Sequence, residues 1–96
     1  MVYYSKKNYD LIGFLKSQRA NKKYTAVIQN KKTKKFKFID FGQLPYENYR
    51  DMTGLNLYPE LIHGDTFRRH LYKQRHRQFY NKDSYSPEYF SWNYLW

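Results

Sequence analysis

HGDTFRRHLYKQRHRQFY, His63 to Tyr80, reads as one helix whose faces carry different chemistry. Asp65 follows Gly64 and can accept hydrogen bonds from the open N–H groups of a first turn. From Thr66 onward neither Gly nor Pro interrupts the run, so about four turns can form. At about 100° per residue, Phe67, Leu71, Tyr72 and Phe79 share one side, and Arg69, Lys73, His76 and Arg77 share the other. The expectation is an apolar face that docks and a cationic face that is presented. Arg68 and Arg75 fall inside the apolar sector, where a merely solvated helix has no need of them. Burial there would require carboxylate partners, and Asp51 and Glu60 are the candidates.

Upstream, Lys23 to Ile28 and Lys35 to Phe41 read as two strands joined by the polar turn QNKKTK. Tyr24, Ala26 and Ile28 share one parity and hence one face. In the second strand Phe36 and Phe38 lie on one parity while Ile39 and Phe41 lie on the other. That predicts burial on both faces near the strand's end, or a bulge near Ile39 and Asp40. Gly42 closes the strand where a left-handed backbone is cheap. The turn places Lys31, Lys32, Lys34 and Lys35 on a basic hairpin tip. Asp10 to Gln18 spaces Leu11, Phe14 and Leu15 as a short helix would. Residues 1–21 therefore read as a basic arm or short helix ahead of a single domain over 22–96. Tyr3, Tyr4 and Tyr9 on that arm can pack on the body or stack on bases.

Gln43 to Gly64 is an acidic connector with turn residues at Pro45, Gly54 and Pro59, and a helical turn is expected around Tyr46 to Met52. Tyr46, Tyr49 and Tyr58 are expected against the main helix. The last segment, EYFSWNYLW, completes the core if buried and offers a sticky patch if exposed. The fold class that follows is α+β: a small antiparallel hairpin or sheet packed against one main amphipathic basic helix.

A chain of 96 residues makes one domain with a modest core, burying about 60–65% of its unfolded surface. There is no cysteine, so neither disulfides nor thiolate zinc sites reinforce it. No apolar run approaches the ~20 residues of a membrane span, and MVYYSKKNYD has no secretory h-region, so neither a membrane partner nor secretion is expected. Aromatic residues make up 22% of the chain, including 12 Tyr, more than a small core can hide. The net charge of +10 is uneven. Met1 to Lys37 holds 11 basic and 1 acidic residue, Phe38 to Thr66 holds 1 and 5, and Phe67 to Lys82 holds 6 and 0. Two basic blocks with rings beside them point to a polyanion, most simply nucleic acid, with DNA placed before RNA. The binding set that follows is Lys31, Lys32, Lys34, Lys35, Arg69, Lys73 and Arg77.

Catalysis needs a nucleophile, base or metal at workable spacing. His70 and His76 on one helix point about 120° apart, so they cannot clamp zinc as i, i+4 histidines do. His63 with Asp65 reads as a cap. The carboxylates form no pair, and Gly54 and Gly64 stand alone, so no enzyme activity, metal or cofactor is expected.

FG at Phe41-Gly42, YRDMTGLNLY from Tyr49 to Tyr58, IHGDTFRRHLYKQRH from Ile62 to His76 and FSWNYLW from Phe90 to Trp96 together resemble a family of short basic proteins of giant, large double-stranded DNA viruses. The resemblance spans roughly Arg19 to Trp96. It makes His63, Asp65, Arg68, Arg69, Tyr72, Arg75 and His76 the signature positions and implies a viral origin rather than a mechanism. The expected setting is the virion or the viral factory. Two functions fit: a viral accessory protein that binds nucleic acid non-specifically, or a minor virion structural protein that docks on capsid or other virion proteins.

Overall fold

A computed structural model describes residues 4–96, so Tyr3 and the role expected of it lie outside the described residues. Strands β2 (Tyr9–Lys16), β3 (Lys22–Asn30) and β4 (Phe36–Gln43) form an antiparallel sheet in the order β2-β3-β4. Strands β1 (Tyr4–Ser5) and β5 (Ser84–Tyr85) pair separately. The helical elements are α1 (Thr66–His76) and the short α2 (Pro87–Phe90), which runs on into a wide π-type turn over Ser91–Leu95. The fold is α+β.

The hairpin forms where the β-branched and aromatic residues concentrate. Tyr24 pairs with Phe41 and Ala26 with Ile39, and all four, with Ile28, are buried on one face. The register from Gln29↔Phe36 to Tyr24↔Phe41 is unbroken, so the expected bulge near Ile39 and Asp40 is absent. Burial on both faces is absent too, because Phe36 and Phe38 are 51% and 64% exposed. Plain alternation on a sheet covered on one side accounts for both parities. Gly42 has φ +76°, and a Cβ there would lie 2.8 Å from Leu95 Cδ1, so glycine is needed for its backbone and for its size.

Of the segment read as an arm or helix, residues 1–21, the described part forms strands at Tyr4–Ser5 and Tyr9–Lys16 and no helix. Leu11 opposes Ile28 while Gly13 opposes Val27, which leaves Ile12 as an extra residue. A bulge of this kind switches side-chain parity, so Leu11 before it and Phe14 after it both pack on the core. Their i, i+3 spacing imitates a helix. Leu15, the third member of the supposed stripe, faces outward.

The terminal aromatic block lies against the sheet, with Tyr89, Phe90 and Leu95 buried and Trp92, Tyr94 and Trp96 half-buried. Phe90 meets Phe41 at 5.4 Å and Phe14 at 5.9 Å between ring centres, and Leu95 is 1% exposed. Helix α1 packs on the outside of that block. Tyr72 stacks on Trp96 at 4.3 Å with planes 2° apart, and His76 stacks on the other side of Tyr72 at 4.2 Å. The chain is thus layered as sheet, terminal block and α1.

The docking face of α1 is largely the reverse of the expectation: of the apolar side Tyr72 docks as expected, and of the cationic side Arg77 stays exposed as expected, but the others exchange roles. Phe67, Leu71 and Phe79 are exposed, while Arg69, Tyr72, Lys73 and His76 turn inward at i, i+3, i+4, i+7. The Arg69 guanidinium lies 4.9 Å from the Tyr49 ring centre, and its Nε donates to the Trp96 backbone oxygen at 2.6 Å. Lys73 Nζ lies 4.9 Å from the Trp92 ring centre. Electronegative ring faces accept cations. Against an aromatic layer, a cationic stripe is therefore a docking stripe.

In the connector the helical turn expected over Tyr46 to Met52 is missing; a 3-10 turn forms instead at Pro59–Leu61. Asn48 bridges to Ile62 and ties the two ends of the connector together. Of its three tyrosines only Tyr49 reaches α1; Tyr58 packs on Tyr24, and Tyr46 is 65% exposed.

Candidate nucleic-acid interface

The hairpin tip is a built turn. Asn30 Oδ1 accepts from Lys32 N at 2.8 Å and Thr33 N at 3.0 Å, and Lys34 takes φ +63°. An Asx-type turn of this kind holds the backbone compact and leaves the side chains outside. Lys31, Lys32, Lys34 and Lys35 are all exposed there, as is Lys37. Lys7 joins them across a shallow depression shared with Asn8, Tyr9 and Asn30. The only carboxylate paired with this group among the described residues is Asp10, 3.7 Å from Lys31 Nζ. An exposed pair of that kind contributes little, about 0–1 kcal/mol.

Beside the tip lies the outer face of the three-stranded sheet. Phe36 opposes Gln29 and Phe38 opposes Val27, with Ile12 and Leu15 on β2 also exposed at 53% and 54%. Nothing among the described residues covers this face. At its far end Asp40 accepts from Ser17 Oγ at 2.8 Å and Thr25 Oγ1 at 2.5 Å. The Thr25 bond is the main reason its carboxyl is held below the usual range.

Of the helical binding set, Arg69 and Lys73 are withdrawn into the aromatic layer and cannot serve as a presented cationic face; Arg77 alone is exposed. Burial lowers the Lys73 ammonium, with Arg69 and Arg50 adding to the effect. Neither Asp51 nor Glu60 pairs with the two arginines. Arg68 is exposed and meets Glu47 at 3.0 Å, and Arg75 is exposed with no ion pair among the described residues. Asp51 instead accepts from the Tyr24 hydroxyl and from Thr53.

The remaining signature residues shape α1. Asp65 accepts from Phe67 N and Arg68 N, the expected N-cap, and His63 Nδ1 accepts from Asp65 N at 2.9 Å. That bond needs a neutral imidazole, and burial, aided by Arg68, lowers its affinity for a proton. Tyr72 donates to Glu88 Oε1 at 3.1 Å. His76 Nδ1 stands 3.0 Å from the same oxygen but out of line for a hydrogen bond. Arg68, Tyr72, Arg75 and His76 line one groove, of about 520 Å³, between α1, the end of β4 and α2. Lys23 lies beneath it, buried and bonded to Tyr46 O at 2.7 Å and to Asn48; burial holds its ammonium down to about 8.

The outer sheet face is not legible from parity alone, because Phe36 and Phe38, on the opposite parity to Ile39 and Phe41, fit two-sided burial or a bulge as well as exposure. The alternation Lys35-Phe36-Lys37-Phe38, which sets both rings on one parity beside lysines, is the available signal. Among the described residues, no group of His, Cys, Asp and Glu is suited to a metal and no helix is long and apolar enough to cross a membrane. A scan against protein-family models and searches of curated proteins and of solved structures find no match.

Proposed function

We propose that this protein binds nucleic acid without sequence preference by laying a single strand along the outer face of its sheet. The observation that carries this reading is the exposure of Phe36 and Phe38, 51% and 64%, on an uncovered sheet face beside a tip bearing Lys31, Lys32, Lys34 and Lys35. Unpaired bases stack on the two rings and the lysines neutralise the phosphates of the same strand. Duplex bases are already stacked, so the rings add nothing to duplex binding. Sequence is not read, because base-edge donors and acceptors are few on this face; Gln29 is the nearest.

The ligand is DNA first. With the resemblance to giant-virus proteins, the setting is genome packaging or the viral factory. The rival, docking on virion proteins through the terminal rings, loses that support because the rings are engaged within the fold. Fluorescence anisotropy with labelled oligothymidine tests the proposal. Each base–ring stack is worth about 1–3 kcal/mol, so the Phe36→Ala/Phe38→Ala chain should bind at least about 30-fold more weakly. Equal affinity of that variant and the wild type would overturn it.

A further inference from the structure

The groove beneath α1 carries chemistry that the sheet face does not use. Its volume, about 520 Å³, lies within the roughly 300–1,000 Å³ of small-molecule sites. Its buried lining is apolar, with Phe41, Tyr72 and Leu95, and its more exposed lining is cationic, with Lys22, Arg68 and Arg75. Two carboxylates also face it, and both are engaged. Glu47 accepts from Arg68 at 3.0 Å, and Glu88 accepts from the Tyr72 hydroxyl at 3.1 Å. Arg75 and Lys22 are left with no ion pair among the described residues. At the mouth, the Tyr46 ring is 65% exposed.

Four cations, Lys22, Lys23, Arg68 and Arg75, line the groove against Glu47 and Glu88, so two positive charges remain to match the two negative charges of a phosphomonoester, and a guanidinium can grip it with two parallel hydrogen bonds. An exposed phenol at the rim offers a face on which a base can stack. We propose that this groove is a nucleotide site, with Arg75 and Lys22 holding the phosphomonoester and Tyr46 carrying the base. The phosphomonoester comes from a free nucleotide or from the 5′ end of a strand. The site is separate from the sheet face and stands whether or not the sheet face binds strands.

Equilibrium dialysis with radiolabelled adenosine 5′-monophosphate is the test. The expected result is saturable binding that adenosine, lacking the phosphate, does not compete away. Arg75→Ala, at an exposed position with no partner to lose, should keep its melting temperature and weaken binding about tenfold or more. Lys22→Ala should weaken it in the same direction. A 5′-phosphorylated oligothymidine that outcompetes its 5′-hydroxyl twin, with the advantage lost in Arg75→Ala, assigns the groove to strand ends. Equal competition by the two, with the monophosphate still bound through Arg75, assigns it to free nucleotides. The Phe36→Ala/Phe38→Ala chain should retain monophosphate binding even where strand binding is gone. No saturable binding at millimolar monophosphate, full affinity in both Arg75→Ala and Lys22→Ala, or loss of binding in the phenylalanine double variant would each overturn the assignment.

Discussion

Gly42 and Lys23 are neighbours across the hairpin, and each constrains the fold through one atom. A methyl at Gly42 would meet Leu95 Cδ1 and require φ +76° of an L-residue. Gly42→Ala should therefore lower stability by about 1–3 kcal/mol in urea titration, well beyond an ordinary surface change. Lys23 makes stability depend on alkaline pH. Its folded value of about 8 lies below the usual 10.5, so folding releases its proton between those values and stability rises with pH across that window. Tyr24 has the opposite sign. Burial, with the Asp51 bond, raises it from 10.0 to about 12, so its contribution is full below pH 10 and is lost as pH climbs towards 12. The urea midpoint should climb from pH 8 to about 10 and fall beyond. In Lys23→Met the climb should be missing; an identical climb there would show that Lys23 does not cause it. His63, held neutral by burial, adds a loss of stability as pH falls through 6.5 and below.

Helix α1 shows what periodicity conveys and what it omits. Its start at Asp65, its continuity and its 3.6-residue stripe were legible, as were the hairpin and its buried Tyr24, Ala26 and Ile28 face. Which stripe docks was not legible, because that depends on the partner surface. Apolar residues would have faced an aliphatic layer; an aromatic one selects Arg69, Tyr72, Lys73 and His76. Strand β2 was obscured for a related reason, since the bulge at Ile12 makes alternating residues look helical. The inverted face has a direct thermal consequence. Arg69→Ala and Lys73→Ala should each lower stability, by about 1–2 and 0.5–1 kcal/mol, through lost hydrogen bonding and cation–π contact. Arg75→Ala should leave the melting temperature unchanged. Equal melting of all three variants would restore the cationic face to solvent.

The whole molecule separates its charge from its aromatic mass in an unusual way. Most of the described tyrosines are packed within the fold, Tyr46 excepted, so they do not form the broad stacking surface that composition suggested. Of the rings that remain exposed, Tyr46 lies at the groove and Phe67 and Phe79 on the helical side, whereas Phe36 and Phe38 are the pair beside the lysine tip. Each lysine that neutralises a single-strand phosphate adds about −0.7 to the slope of log affinity against log salt. Lys32→Ala/Lys35→Ala should therefore flatten that slope by about 1.4, whereas Arg69→Ala should leave it unaltered where the protein remains folded. A slope unchanged by the lysine pair would move the phosphate contacts elsewhere.

The most direct measurement is an amide ¹H–¹⁵N titration of the full chain with 5′-hydroxyl oligothymidine, which carries no terminal phosphate to enter the groove. The expected shifts run along Lys31 to Phe38 and across β2 at Ile12 to Leu15, and leave α1 and the terminal block in place. Shifts concentrated on α1 and the terminal block, or no shifts at low salt, would contradict strand binding on the outer face of the sheet.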